Sequence, residues 1–232
     1  MNHTETLDTN RTSGEKQYQD SISYIKQIGN EKLGLMTSWA WLDDPKRLAF
    51  TLSRYKFVSK MLAESDHVLE VGCSDAFATR IVRQSVKNLT AIDFDPSFIA
   101  DAQTRQSDKW PINLKLHDLM KAPVVGCFDG VYSLDVLEHI SVADEDKFIT
   151  NMIAPLTTHG TAILGMPSLN SQIYASIQSK LGHINCKHQK DFRQFMQKYF
   201  HNVYMFSMND EVVHTGYDAM AHYHIALCCN KK

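Results

Sequence analysis

The hydrophobic pattern of the chain changes at about residue 65. Before this point, apolar residues recur at helical spacing from about Asp20 to Ile28 and from about Pro45 to Leu62, which predicts two helices. After it, short apolar runs alternate with helical stretches. Such alternation is typical of a parallel β-sheet covered by helices on both faces.

Seven apolar runs predict seven strands in the second part of the chain. No helical stretch separates the last two, only the polar segment NDEVVHTGYDAM, which we interpret as a loop. These two strands should therefore pair antiparallel. The predicted fold is an α/β, doubly wound sheet, mostly parallel, with an antiparallel C-terminal pair and N-terminal helices. The strand sequences are HVLEVG, LTAIDF, INLKLH, FDGVYSL, GTAILGM, NVYMFSM and HYHIALCC. Helices are predicted at about 76–85, from near residue 96, at about 144–153 and at about 190–199.

Three segments follow from this pattern. Residues 1–17 are rich in small polar and acidic side chains, which predicts a disordered tail. Residues 18–64 form a helical lid or cap, in which the turn-like GLMTSWAWLDDP holds Trp39 and Trp41. Tryptophans more often pack in a core, and a lid is the alternative. Residues 65–232 form one domain, as the length of 232 residues and 44% hydrophobic content allow.

Composition and charge limit the partners. The 24 Lys and Arg residues nearly balance the 26 Asp and Glu residues, and no basic run occurs, so we expect no nucleic-acid partner. No apolar segment reaches the length of a membrane span or a signal core, so a cytoplasmic protein without a membrane partner is expected. The five scattered cysteines lack a C-x-x-C spacing, which favours reduced thiols. A homodimer is left open.

Acidic residues end the first two predicted strands. Glu70 precedes Gly72 where the first strand turns into a helix, and Asp93 follows about 20 residues later. Either acid alone is more simply a solvated strand end, but their joint spacing favours a nucleoside site at the carboxyl ends of the strands. Only Gly72 remains of the G-x-G-x-x-G dinucleotide pattern, with Ser74 and Phe77 in the other positions. A nicotinamide oxidoreductase is therefore disfavoured.

Several motifs resemble those of class I S-adenosylmethionine-dependent methyltransferases. They are VLEVGCSDAFATR, LTAIDFDPSFIADA, HDLMKAP, FDGVYSLDVLEHI and APLTTHGTAILGMPS, and they cover about Val68 to Ser168. The resemblance implies a Rossmann-like fold, S-adenosyl-L-methionine as cofactor and methyl transfer as activity. The sequence departs from the family at Ser74 and Ala76, where glycine is usual, and at His159, where a glycine pair usually opens the fifth strand.

The same resemblance implies cofactor-binding residues. Glu70 and Gly72 would meet the amino-acid portion of the cofactor, and Asp93 would accept hydrogen bonds from the ribose hydroxyls. Asp118 would face the adenine amino group, although a local turn role is nearly as good an interpretation. The remaining residues of these turns that are predicted to bind the cofactor are Cys73, Ser74, Phe94, Leu119, Leu134 and Asp135.

Histidines are the candidates for acid–base chemistry. Seven of the 11 lie in the C-terminal third. His183, in GHINCKH, is the leading general base because an imidazole pKa of about 6.5 suits proton removal near neutral pH. A helix-capping role near Lys190 is an equal alternative. His139 and His214 are further candidates, and no spacing matches a closed zinc site, so no metal is expected.

The predicted function is methyl transfer to a hydroxyl or amine of a small molecule, with a sugar or secondary metabolite preferred. Nucleic-acid or protein methylation is the alternative, as is a catalytically silent cofactor-binding subunit. Base-amino methyltransferases usually carry an Asn/Asp-Pro-Pro-aromatic tetrad after the fourth strand, where this chain has Leu134-Asp135-Val136-Leu137. This difference favours the small-molecule interpretation.

Overall fold

The computed structural model describes residues 15–232. The predicted tail at 1–17 lies outside the described residues except for its last three, and the first helix, α1 (Lys16–Ile28), begins within them. The chain divides into two compact units between Lys32 and Leu33. The first unit contributes α1, which has no buried residue. All other elements belong to the second unit.

Two helices, α2 (Leu35–Asp43) and α3 (Pro45–Met61), precede the sheet within that second unit. The Asp44 side chain caps α3 by accepting from the Lys46 N–H, and Pro45 occupies the first helical position, where its missing N–H costs nothing. The helix α2 corrects the expectation of a turn-like segment. Its residues include neither glycine nor proline, and Leu, Met and Ala favour a helix.

The second unit contains an eight-stranded sheet in the order β3-β2-β1-β4-β5-β8-β6-β7. The first five strands are mutually parallel, and β8 pairs antiparallel with both β5 and β6. The predicted α/β architecture is confirmed, with one strand more than predicted. The strands are β1 His67–Val71, β2 Asn88–Asp93, β3 Asn113–Leu116, β4 Phe128–Leu134, β5 Leu156–Pro167, β6 Phe200–Asn209, β7 Val212–His214 and β8 Tyr223–Lys231.

The additional strand, β7, lies in the segment predicted as a loop. It pairs antiparallel with β6 through residues 212–214. Asp210 has a φ of 49°, and Asp tolerates this left-handed conformation, so the chain reverses tightly enough for the two following valines to pair. The sheet therefore ends in a short hairpin.

Five helices connect the strands. The first is shorter than the predicted 76–85, because Ser74 and Ala76 adopt left-handed φ values of 49° and 53° and delay the start of the helix. The helix α7, capped by the Ser176 hydroxyl, was not predicted. The helices are α4 Thr79–Arg83, α5 Pro96–Gln103, α6 Glu145–Ile153, α7 Ile177–Gly182 and α8 Gln189–Met196.

Apolar clusters cover both faces of the sheet. Phe148 of α6 and Phe192 of α8 pack on one face, whereas Val58 of α3 and Ile99 of α5 pack on the other. Because successive strand residues point to opposite faces, the central strands are buried on both sides. The winding reverses between β1 and β4, so a ligand site is expected beyond the carboxyl ends of these strands. Within residues 15–232, no helix has the length and apolar character needed to cross a membrane.

Candidate active site

A cavity of about 840 Å³ opens at the carboxyl ends of β1, β2 and β4. Its volume lies in the range of sites for small ligands. The structure brings together on its wall nine of the ten residues predicted to bind a cofactor. These are Gly72, Cys73, Ser74, Asp93, Phe94, Asp118, Leu119, Leu134 and Asp135.

The turn after β1 has the positive φ angles of a glycine-rich loop, although Gly72 is the only glycine among the three residues that adopt them. Gly72 has a φ of 78°, and a Cβ there would lie 2.3 Å from Cγ2 of Val136, so no side chain fits. Ser74 and Ala76 also have positive φ, at the two positions where the methyltransferase pattern usually has glycine. The turn thus keeps its conformation at a cost of about 1–2 kcal/mol for each left-handed residue with a side chain.

Asp93, at the end of β2, holds this turn. One carboxylate oxygen accepts from the Ser74 N–H at 2.8 Å, and the other accepts from the Asp95 N–H at 2.9 Å. A carboxylate offers about four acceptor positions. Asp93 therefore fixes the loop and keeps acceptor capacity toward the cavity.

Glu70 does not line the cavity. Its carboxylate is 1% exposed and accepts from the hydroxyls of Tyr55 and Tyr132 at 2.7 and 2.8 Å. Burial raises the pKa of Glu70 to about 7, and the two hydrogen bonds limit the rise. The structure places Glu70 behind the cavity wall. Tyr55 forms part of that wall, and its hydrogen bond to Glu70 fixes the position of its hydroxyl.

The tip of β4 carries a charged pair. Asp135 has a φ of 58°, and both of its carboxylate oxygens lie 2.8 Å from Nη1 of Arg54 on α3. The Arg54 guanidinium also lies 3.9 Å from the ring centroid of Tyr223, an attractive cation–π geometry. Sequence reasoning missed Arg54, because a single arginine on a helix carries no signal of its tertiary partner.

Asp118 and Phe94 line the cavity near β2 and β3. The Asp118 carboxylate accepts from the Met120 N–H at 3.0 Å and lies 3.2 Å from Nζ of Lys121. Although desolvation acts in the opposite direction, these contacts lower the pKa of Asp118. Phe94 is 74% exposed, so its ring is available to pack on a planar base.

A family model described as a methyltransferase domain matches residues 68–160, the stretch from β1 into β5 that carries the strand tips. Over these residues the chain therefore matches a methyltransferase domain. Its fold is that of the class I S-adenosylmethionine-dependent methyltransferases, which confirms the resemblance of the motifs.

Solved structures agree with this fold. The N-methyltransferase NodS from Bradyrhizobium japonicum WM9, in complex with S-adenosyl-l-homocysteine, is 19% identical, with 90% of this chain and 97% of that chain covered and a TM-score of 0.65. The magnesium protoporphyrin IX methyltransferase ChlM from Synechocystis PCC 6803 is 14% identical, with coverages of 92% and 96% and a TM-score of 0.57. At these identities the likeness concerns the fold. No curated protein sequence matches this methyltransferase significantly.

The fold implies S-adenosylmethionine as the cofactor, and the residues of the cavity fit it. Asp93 offers acceptors for ribose hydroxyls, Gly72 allows close approach of the backbone, and the exposed Phe94 ring offers an aromatic face. The methyltransferase thus holds the expected residue types on one continuous wall. The individual role of each remains a prediction.

Of the three histidines predicted for catalysis, His139 and His183 lie next to each other and His214 lies elsewhere. His139 lines the cavity, and the His183 ring lies beside it with 5.2 Å between ring centroids, although His183 itself does not line the cavity. His214 lies on β7, where its nitrogens contact Asn209 Oδ1 at 2.7 Å and the Gly216 N–H at 2.9 Å. The structure therefore does not bring His214 to the site.

His183 follows α7 and does not cap the next helix. The residue before α8 is His188, so the capping alternative does not apply to His183. Burial, together with the neighbouring His139, lowers the pKa of His183, which favours the neutral ring.

The opposite wall of the cavity comes from α2 and α3, which belong to the segment 18–64 that the sequence predicts to be a lid or cap. Asp75 accepts from the Thr37 N–H at 2.7 Å and from the Thr37 hydroxyl at 3.1 Å. A Cβ on Gly34 would lie 2.3 Å from Cγ of Asp75, so α2 packs closely on the turn after β1. Trp39 lines the cavity and Trp41 does not. The lining residues of this wall are Met36, Thr37, Trp39, Ala40, Arg47, Leu48, Thr51 and Tyr55.

Replacing Ser74 with glycine is expected to stabilise the methyltransferase by about 0.5–1 kcal/mol. Glycine removes the left-handed cost, which exceeds the entropy it adds to the unfolded chain. The midpoint of urea unfolding measures the change. As a control, Ser97→Gly in the first turn of α5 should destabilise the protein, because no positive φ is relieved there. A lower midpoint for Ser74→Gly would contradict the assignment of strain to this turn.

Proposed function

We propose that this methyltransferase transfers a methyl group from S-adenosylmethionine to a hydroxyl or amine of a small molecule. The observation that carries the proposal is the continuity of the cavity. One space of about 840 Å³ joins the β1 and β2 tips, with Gly72 and Asp93, to the wall formed by α2, α3 and His139. Both reactants would therefore occupy the same cavity.

When bound, S-adenosylmethionine supplies an electrophilic methyl group on a sulfonium. The acceptor oxygen or nitrogen forms its bond to this carbon as the carbon–sulfur bond breaks, the sulfonium becomes a neutral thioether, and the acceptor releases a proton. Positioning and exclusion of water are the main contributions required of the chain. Asp93 and Gly72 would position the cofactor, and α2 and α3 would shield the acceptor.

The walls of the cavity favour a small, partly apolar acceptor. Met36, Trp39 and Leu48 present apolar surface, whereas Arg47 and His139 add a few polar groups. The net charge of −2 provides no excess of basic side chains for a phosphate backbone. The similar structures include an N-methyltransferase and a magnesium protoporphyrin IX methyltransferase, which supports an amine or small-molecule acceptor. We prefer a sugar or secondary metabolite as the acceptor class.

Calorimetry tests the cofactor part of this proposal. We expect S-adenosylmethionine and S-adenosylhomocysteine to bind the purified protein and NAD to give no heat. Turnover with matched sets of hydroxyl and amine acceptors then separates O- from N-methylation. NAD binding without a response to either sulfur nucleoside would contradict the proposal.

A further inference from the structure

A loop after α7 docks onto the tip of β4. The N–H groups of Ile184 and Asn185 both donate to the Glu138 carbonyl, at 2.8 and 3.0 Å. The Asn185 side chain, 3% exposed, donates to the Glu145 carboxylate at 2.8 Å. These bonds hold the loop, and with it His183, against the 3-10 turn Leu137–His139.

This docking gathers three metal-ligand types. One ring nitrogen of His139, one of His183 and one carboxylate oxygen of Glu138 all lie within 4.8 Å of one another. Protein ligands hold zinc at about 2.0–2.2 Å. Small side-chain rotations therefore allow the three atoms to share one ion.

The buried Glu138 carboxyl group has no hydrogen-bond partner among the described residues. The side chain is 0% exposed, and neither oxygen accepts a hydrogen bond from any residue of 15–232. Arg54, the nearby cation, directs its Nη1 to both oxygens of Asp135 instead. A buried carboxylate is costly unless it is paired or bound to a metal.

One ring nitrogen of each histidine is held by a hydrogen bond. Nδ1 of His139 lies 2.9 Å from the Gly182 carbonyl, and Nδ1 of His183 lies 2.9 Å from Oε1 of Gln172. A carbonyl oxygen only accepts, so Nδ1 carries the proton in each ring and Nε2 keeps its lone pair. Ligating histidines in metal sites are commonly held by this type of bond from the other nitrogen.

The absence of a side chain at Gly182 allows the close contact with the His139 ring. A Cβ there would lie 3.2 Å from both Cε1 and Nδ1 of His139, closer than a side chain normally packs. Glycine thus allows its carbonyl to reach the ring.

We propose that Glu138, His139 and His183 bind one divalent transition-metal ion beside the proposed methyl-transfer cavity. Two imidazoles and one carboxylate, with a position left for another ligand, form a donor set used by catalytic zinc sites. The functional role rests on the proposed methyl transfer. Because His139 lines the cavity, the ion would lower the pKa of an acceptor hydroxyl at that end and so prepare it to attack the methyl carbon.

Metal titration of the full chain tests the site. After treatment with a chelator, the protein is titrated with Zn²⁺, Mn²⁺ and Mg²⁺ in separate calorimetry experiments. We expect one Zn²⁺ or Mn²⁺ per chain and much weaker binding of Mg²⁺, which prefers oxygen ligands. His183→Ala and Glu138→Gln should each weaken binding by about 100-fold or more. The control His201→Ala, at an exposed position on β6, should leave the affinity unchanged.

Binding of S-adenosylhomocysteine to the same samples separates the two proposals. If His183→Ala loses the metal but keeps the nucleoside, the metal site is confirmed and its ligands are shown to be separate from the residues that bind the nucleoside. If neither the wild type nor any variant binds the nucleoside, but the wild type binds metal through these residues, the methyl-transfer proposal fails and the metal site stands. Absence of Zn²⁺ and Mn²⁺ binding to the wild type, or equal binding to His183→Ala, would overturn the inference. His183→Gln replaces His183→Ala if circular dichroism shows that the alanine variant is unfolded.

Discussion

Asp93→Ala is expected to weaken binding of S-adenosylmethionine by roughly 1.5–3 kcal/mol, a loss of about 10- to 150-fold in affinity. The structure gives two reasons for a large effect. The variant removes a charged acceptor that faces the cavity, and it releases the Ser74 N–H that the carboxylate holds at 2.8 Å. Calorimetric titration with the cofactor measures the change.

The neighbouring Asp95 provides a matched control for this prediction. Its carboxylate caps α5 by accepting from the Ser97 N–H at 2.8 Å, and it does not line the cavity. Asp95→Ala should therefore cost about 1 kcal/mol of stability without a comparable loss of cofactor affinity. Equal dissociation constants for the wild type and Asp93→Ala would remove Asp93 from the cofactor site.

The strand tips could be predicted from sequence because their signals are local. An acid or glycine directly after a buried apolar run marks the carboxyl end of a strand, and in a doubly wound sheet these ends meet. Gly72 and Asp93 are located in this way, whereas Asp135 is added by the resemblance to methyltransferases. The sequence also indicated the antiparallel C-terminal strands, since no helix lies between them.

The other parts of the site depend on tertiary packing. Arg54 becomes a partner of Asp135 only because α3 lies over the tip of β4. Glu70 lies one residue before the lined part of β1, and the alternation of side chains along a strand turns it toward Tyr55 and Tyr132. The spacing of residues in the chain does not show that Arg54 pairs with Asp135 or that Tyr55 and Tyr132 are the partners of Glu70.

The cluster of Glu138, His139 and His183 illustrates the same limit. Spacing rules detect a metal site when its ligands lie in one or two short motifs. Here two adjacent residues meet a third from the loop after α7, which follows them in the chain only after α6 and β5. The sequence therefore predicts no metal site, and the three residues are brought together only by the docked loop after α7.

The pH dependence of stability should report on the buried Glu70. Its pKa is raised from an ordinary value of 4.5 to about 7 in the folded protein, so the folded state holds a proton that the unfolded state has lost between these values. The stabilising contribution is complete below about pH 4.5 and is lost as the pH rises through about 7. At 1.36 kcal/mol per pKa unit, the free energy of unfolding falls by up to about 3 kcal/mol over this range.

Glu70→Gln should remove this contribution to the pH dependence. The amide resembles the protonated acid in shape and lack of charge, so the variant should gain stability relative to the wild type as the pH rises from about 4.5 to about 7.5. Urea unfolding at several pH values measures the difference, and Glu64→Gln, at an exposed position, should follow the wild-type profile. Parallel profiles for Glu70→Gln and the wild type would show that Glu70 remains ionised in the folded protein, with the two tyrosine hydroxyls sufficient to hold its charge.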